Sequence, residues 1–279
     1  MPDSSPFKSW EDTVSWQRVR TGHASGSRVE LGRGWGALVV SVACRRVVAV
    51  LKHLVLKTPL APFRRFRRAL AVRPRVDLVR LGSDYGGWTV PADLVERSWI
   101  CYSGGVGDDI TFDLAFIERF GCEVDAFDPS PSSVEHVRVA ADEPRFHFHP
   151  WGVWSDDVTV RFYAPDYSDT NFSAVNLHDT EDFFEAPCRS LPSMMRELGH
   201  DRIDLLKLDI EGAEYEVLDA LIDGDIRPTV LCVEFHKTSG IRPMLRTASR
   251  TRAIGYVAVA VDGYDVTFVR TADRATERA

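Results

Sequence analysis

Three groups of residues in this 279-residue chain have types and spacings suited to chemistry. The first is Ser103-Gly104-Gly105-Val106-Gly107, a glycine-rich turn directly after the apolar run Trp99 to Tyr102. Glycines at a strand end let the backbone approach a nucleotide-like ligand with no Cβ in the way. The second is Asp128, which ends the next apolar run, about 20 residues further on, where an acid can accept both hydroxyls of a ribose. The third consists of Asp209-Ile210-Glu211-Gly212 and Glu234-Phe235-His236, each at the end of a buried-looking run (Ile203 to Leu208 and Arg227 to Val233). Open α/β sheets bind ligands at the carboxyl ends of their parallel strands, which sets these acids and His236 above ordinary surface polars. Two plainer readings stay open: glycine turns also punctuate strand-to-helix connections, and strand-end acids also cap helices.

These residues need a scaffold, and the pattern around them supplies one. Between the glycines and Asp128, apolar residues at Ile110, Leu114 and Ile117 mark a helix that stops at Gly121. Pro129-Ser130-Pro131 opens the next helix, with Ser130 as cap and Pro131 at the first position, where a missing N–H costs nothing. Arg145 to His149 is a third strand. Trp151-Gly152 at its end would either stack on a planar base or fill the sheet edge. Residues 155 to 200 form an insertion with a strand over Val158 to Tyr163, a polar loop around Asp166 to Asn171 and a helix near Leu191 to Leu198. Further helices are expected over Ala213 to Ile222 and Ile241 to Ile254. Tyr256 to Val261 and Val266 to Arg270, joined through Asp262-Gly263-Tyr264-Asp265, read as a β-hairpin. Upstream, Val76 to Val95 reads as another hairpin, turned at Asp84 to Gly87, either a lid over the ligand or an edge hairpin.

Charge divides the chain. Residues 1–80 hold 16 Lys and Arg against 5 Asp and Glu, and the rest hold 18 against 36, within an overall net charge of −7. An acidic body argues against a nucleic-acid groove, because phosphate binding needs concentrated positive charge. Residues 1–34 are polar and without periodicity, a flexible segment. Residues 35–75 form a basic helical extension: Arg45, Arg46, Lys52, His53 and Lys57 share one helical face, Val47, Val50, Leu51, Leu54 and Val55 the other, and Arg64, Arg65, Arg67 and Arg68 follow. Charges interrupt the apolar stretch, so it falls short of the ~20 residues of a membrane span. Residues 44–68 would either touch an anionic membrane surface from the cytoplasmic side or dock on the body. The apolar run starts far from Met1 and no small-residue cleavage site follows it, which does not fit a signal peptide. Five scattered cysteines without CxxC spacing read as core residues of a protein in a reducing, cytoplasmic compartment.

Together these elements describe an α/β protein with a doubly wound, mostly parallel sheet over residues 76–271, a C-terminal antiparallel hairpin strand and a short tail, 272–279. The hairpin disfavours a nicotinamide-dependent oxidoreductase, whose sheet is parallel throughout, as does Ile110 in the place of a third glycine. A non-catalytic binding domain tethered to a membrane is the other rival.

The runs YSGGVGDDITFDLAFIERFGCEVDAFDPSP, DLLKLDIEGAEYEVLDAL and VLCVEFH resemble the FkbM family of S-adenosylmethionine-dependent methyltransferases. VRLGSDYGGWTVP is similar to a segment ahead of the cofactor motif in one branch. The resemblance spans residues 76–271 and implies a Rossmann-like class I methyltransferase fold. It implies that Ser103, Gly104, Gly105 and Gly107 wrap the methionine moiety of S-adenosylmethionine, that Asp128 holds the ribose and that Trp151 and Gly152 lie near the adenine. Asp209, Glu211, Glu234 and His236 would line the methyl-transfer cleft. The common family loop reads DxGANxG; here Cys101, Ser103 and Gly105 replace its Asp, first Gly and Asn. A branch with YSxGxGxD makes this a variant, with Asp108 or Asp109 standing in for the missing acid. The implied activity is O-methylation of a sugar or polyketide-like small-molecule acceptor. His236 is then the preferred base, with Glu234 or Asp209 as orienter or second base. The oxygens of Asp209, Glu211 and Glu234 would also suit a divalent metal such as magnesium.

Overall fold

The computed structural model describes residues 61–271, apart from 74, 76, 165–171, 177–178 and 237–240. The expectations for the segment 1–34, for the basic helix up to residue 60, for the loop 166–171 and for the tail 272–279 lie outside the described residues.

The elements follow the sequence closely wherever a stop or cap signal exists. Helix α1 (Ala61–Leu70) precedes the hairpin β1 (Leu78–Leu81) and β2 (Trp88–Pro91). Strand β3 (Ile100–Gly104) leads through the glycine turn to α2 (Thr111–Phe120). That helix ends where Gly121 turns left-handed at φ 72° and returns its N–H to the Ile117 carbonyl,. Strand β4 (Glu123–Phe127) is followed by α3 (Pro131–Ala140), whose Ser130 cap accepts from Ser133 N. Then come β5 (Phe146–His149), β6 (Gly152–Trp154), β7 (Val158–Tyr163), β8 (Phe183–Ser190) and α4 (Leu191–Leu198). The chain closes with β9 (Leu205–Leu208), α5 (Glu214–Asp223), β10 (Val230–Glu234), α6 (Ile241–Ala253), β11 (Tyr256–Asp262) and β12 (Asp265–Arg270).

The main sheet has seven strands in the order β11-β12-β10-β9-β3-β4-β5. Strands β10, β9, β3, β4 and β5 pair in parallel, and the closing hairpin adds β12 antiparallel to β10. This is the class I methyltransferase arrangement. All four residues of β9 are buried, as is expected of a central parallel strand covered on both faces,. Alternation along the strands divides the core into two layers. Tyr102, Leu206, Leu231 and Val233 face α1, α4, α5 and α6, while Cys101, Leu205, Val230 and Cys232 face α2, α3 and the β1–β2 hairpin.

Three features add to the sequence reading. Strand β8 lies in the insertion 155–200 at a stretch to which no element was assigned; its buried residues alternate, and it pairs antiparallel with β7 and parallel with β6 in a separate three-stranded sheet. Pro187 and the surrounding charges hid it. The expected boundary at residue 76 also moves. Phe66 and Leu70 of α1 are fully buried in the first core layer, Phe66 meets the Phe235 ring edge-on at 5.4 Å, and Arg73 N donates to Ala258 O. Residues 61–73 thus belong to the body, with Arg67 and Arg68 left exposed. The β1–β2 hairpin, for which a lid and an edge hairpin were both open, is tied to the body: Ser83 N donates to Thr111 Oγ1, and Thr267 Oγ1 donates to Thr89 O. Among the described residues, no helix is long and apolar enough to cross a membrane.

Candidate active site

Strands β3 and β9 are neighbours at the point where the sheet changes winding direction, with β4 and β5 on one side and β10 onward on the other. A crevice opens above the carboxyl ends of strands at such a point. The glycine turn and Asp209 meet there. Asp209 N donates to Gly104 O at 3.0 Å. A Cβ on Gly105, at φ +79°, would stand 1.7 Å from Asp209 O, so only glycine lets the turn cross here,. Gly107, at φ +60°, has nothing within 4 Å of its missing Cβ and presents an open flank to a ligand.

Asp128 is buried at the tip of β4, but its carboxylate is aimed at the protein's own backbone. Oδ2 accepts from Val106 N at 3.0 Å and Gly107 N at 2.9 Å, and Oδ1 accepts from Ser130 N at 2.8 Å. It braces the glycine turn first. Of the acceptor positions on Oδ1, one remains for a hydroxyl of a bound cofactor. An adenosyl cofactor therefore fits here through the flank of Gly107 and that remaining acceptor.

Four other expected cofactor contacts are placed differently. Ser103 is buried and faces α2, and its hydroxyl is left without a hydrogen-bond partner among the described residues, while the charge of Lys207 offsets the burial that raises the Asp113 carboxyl. Asp109 accepts from Thr111 N and Thr111 Oγ1 through Oδ1, and from Ser83 Oγ through Oδ2 at 2.5 Å. Both oxygens thus join α2 to the hairpin turn, and these bonds outweigh burial and hold its pKa below the usual carboxylate value. Trp151 stacks on His149 at 5.0 Å, with the Arg189 guanidinium 4.2 Å from its ring centroid. Its partly buried ring is already engaged by these two side chains. At Gly152 a Cβ would meet Cys188 Sγ at 2.3 Å, so this glycine serves the close pairing of β6 with β8.

The acidic strand ends converge. Glu234 ends β10 with Asp265 as its register partner on β12. Burial pushes the Glu234 carboxyl well up, reinforced by the charge of Asp209 and a hydrogen bond shared with it. A hydrogen bond between two carboxyl groups requires one proton, which Asp209 and Glu234 hold as a pair,. Asp265 is pushed up to about 7 by burial and by Asp209 and Asp262. His236 is gripped on both ring nitrogens: Nδ1 lies 2.6 Å from Glu214 Oε1, and Nε2 lies 3.2 Å from Glu211 Oε2 and 3.7 Å from Glu234 Oε1. Burial alone would lower its pKa, but Glu214, Glu211 and Glu234 outweigh that and hold it well above the usual histidine value. Glu214 is itself fully buried and fixed by Ile210 N and Gly212 N. A histidine with both nitrogens facing carboxylates holds its protons, so the geometry does not support His236 as the free base expected from the sequence.

Asp209, Glu234 and His236 each offer a ligand atom within 4.8 Å of the others. Once stripped of the protons they hold, two carboxylate oxygens and an imidazole nitrogen would suit a divalent cation, so such an ion and those protons compete for the site. The convergent set contains His236 in place of the expected Glu211. Sequence reasoning missed Glu214, Lys207 and Ser173, whose hydroxyl donates to Glu211 O at 2.6 Å. Of these, only Lys207 left a signal, as a lone charge inside the apolar run Leu205-Leu206-Lys207-Leu208.

The sheet order defines a methyltransferase-type fold, with the candidate ligand site at the β3–β9 junction. The model of the methyltransferase FkbM domain matches residues 105–254, more than half of the chain, and the chain belongs to that family. It is similar to the probable methyltransferase-like protein 24 of Rattus norvegicus, at 32% identity over 137 residues, and to that of Homo sapiens, at 31% over 138. Each match covers 48% of this chain and 32% of the relative, so the chain spans about a third of the length of these curated relatives. Among solved structures, the Methanococcus jannaschii fibrillarin pre-rRNA processing protein aligns with a TM-score of 0.36 and 9% identity, covering 70% of this chain and 83% of that one.

Proposed function

We propose that this protein transfers the methyl group of S-adenosylmethionine to a hydroxyl of a small sugar or polyketide-like acceptor. The observation that supports this reading is the close approach of Gly105 to Asp209, which brings the glycine turn next to a carboxyl pair. S-adenosylmethionine supplies an electrophilic methyl group on a sulfonium. The chain's own residues have two tasks: to align the acceptor oxygen with that methyl and to take up the hydroxyl proton. The Asp209–Glu234 pair is the proton acceptor, because the single proton it shares leaves one of its two carboxyl groups able to take up another. His236, pinned by Glu214 and Glu211, balances the negative charge around them.

The test is calorimetry with S-adenosylmethionine and, in parallel, NADH, followed by transfer of labelled methyl to a panel of polyhydroxylated acceptors. Asp209→Asn is expected to keep cofactor affinity within about threefold and to lower transfer by ~10² or more. Binding of NADH but not S-adenosylmethionine would remove the reading altogether. Undiminished transfer by Asp209→Asn would remove only Asp209 from it.

A further inference from the structure

Lys207 lies in β9 with parallel strands on both sides, and it is 5% exposed. A buried ammonium is costly unless it is paired and hydrogen-bonded, so its partners show what it is for. Nζ donates to Gly105 O at 2.7 Å and stands 4.0 Å from Asp209 Oδ2. On the α2 side its charge offsets the burial that raises Asp113. The ammonium therefore sits where the glycine turn, the strand-end acid and the first turn of α2 meet.

Its bond to Gly105 gains meaning from the other end of the same peptide group. In a trans peptide the C=O and N–H point in opposite directions. The Gly105 carbonyl is held by Lys207, and the Val106 N–H that shares its plane is held by Asp128 Oδ2 at 3.0 Å. Cation and carboxylate thus grip one peptide plane from opposite edges. The grip matters because Gly105, at φ +79°, lacks the Cβ that restricts the backbone elsewhere, so sterics alone do not prevent this peptide from rotating,. A rotated peptide would turn a carbonyl, rather than an amide, toward Asp128 and would carry Gly107 away from its present position.

We infer that Lys207 is a positioning residue for the cofactor turn, locking the Gly105–Val106 peptide against Asp128 and so joining the cofactor site to the Asp209 side of the crevice. The inference rests on the reading of this turn as the S-adenosylmethionine site.

Two measurements on the full chain test it. The first is amide hydrogen exchange without ligand, comparing wild type with Lys207→Met, which keeps the stem and removes the charge, and with Lys207→Arg. Leu206→Ala, a neighbouring core truncation that touches no part of the turn's grip, serves as control. Lys207→Met is expected to speed exchange across residues 103–109 at least tenfold relative to β4, with Lys207→Arg recovering most of the protection and Leu206→Ala showing no such bias. The second is calorimetry with S-adenosylmethionine, where Lys207→Met is expected to bind at least tenfold more weakly and Lys207→Arg within about threefold of wild type. If Lys207→Met alone does not fold, the charge-balanced pair Lys207→Met with Asp113→Asn carries both measurements. Unchanged exchange of the turn, or equal loosening by Leu206→Ala, overturns the role of Lys207 whether or not the cofactor binds. A wild-type protein with a protected turn that does not bind S-adenosylmethionine overturns the cofactor reading instead.

Discussion

Asp128 and Asp209 both follow parallel strands and both border the same crevice, yet their surroundings give them opposite characters. Asp128 is surrounded by backbone donors, and three N–H groups fall on its two oxygens. Asp209 is surrounded by ionisable side chains, with Glu234, Asp265, His236 and Lys207 all near it. Backbone amides cannot give up or take back a proton, so a carboxylate satisfied by them is a fixed strut. A carboxyl that shares a proton with another carboxyl has a partner whose protonation changes, and it is suited to proton transfer. Strand-end position alone does not distinguish the two; the neighbours do.

If this contrast holds, Asp128→Ala has the largest and broadest effect. Three N–H groups lose their acceptor, each loss costing about 1–3 kcal/mol when the donor stays buried. Denaturant unfolding should show a loss of that order or more, and calorimetry should show S-adenosylmethionine affinity falling at least tenfold. Loss of affinity at unchanged stability would mean that Asp128 serves the ligand rather than the turn. Asp209→Asn, by contrast, should leave both quantities nearly intact.

Asp265→Asn sharpens the other side of the comparison through pH. The folded protein raises this carboxyl to about 7, so its acid form is favoured on folding; it faces Asp209, Asp262, His236 and Arg80. The sign follows from linkage: stability from this group is fullest below the unfolded carboxylate value, and is lost as pH rises through about 7,. Asp265→Asn should therefore raise the melting temperature at pH 8 relative to wild type, with the difference shrinking toward pH 4. A difference independent of pH would show that the acid cluster is not strained by its own charge.

The smallest effect concerns the cofactor. Trp151→Leu removes a ring that already stacks on His149 and carries the Arg189 guanidinium. S-adenosylmethionine affinity should change by less than about threefold, while the melting temperature falls. A larger loss of affinity would restore Trp151 to the adenine site.

Much of the fold was legible because its signals are local. Gly121 stops α2, Ser130 and Pro131 start α3, and the Gly263 turn forms the closing hairpin, each through a backbone preference carried by one or two residues. The second small sheet was not, because β8 is stabilised by pairing with strands on either side while its own residues include Pro187 and charges. Likewise the charges of α1 left membrane contact and docking on the body both open, and the core partners that Phe66 and Leu70 find lie far along the chain.

The candidate site divides in the same way. The sequence by itself determined that glycines and acids stand at strand ends, since periodicity places strands and a strand end places its next residue. What each acid does was decided by tertiary structure alone. Glu214 lies behind His236 across 22 residues, Lys207 reaches Gly105 across 102, and Asp128 meets Val106 across 22. The protonation and aim of a side chain depend on the partners that folding brings within about 4 Å, and no spacing along the chain encodes those distances.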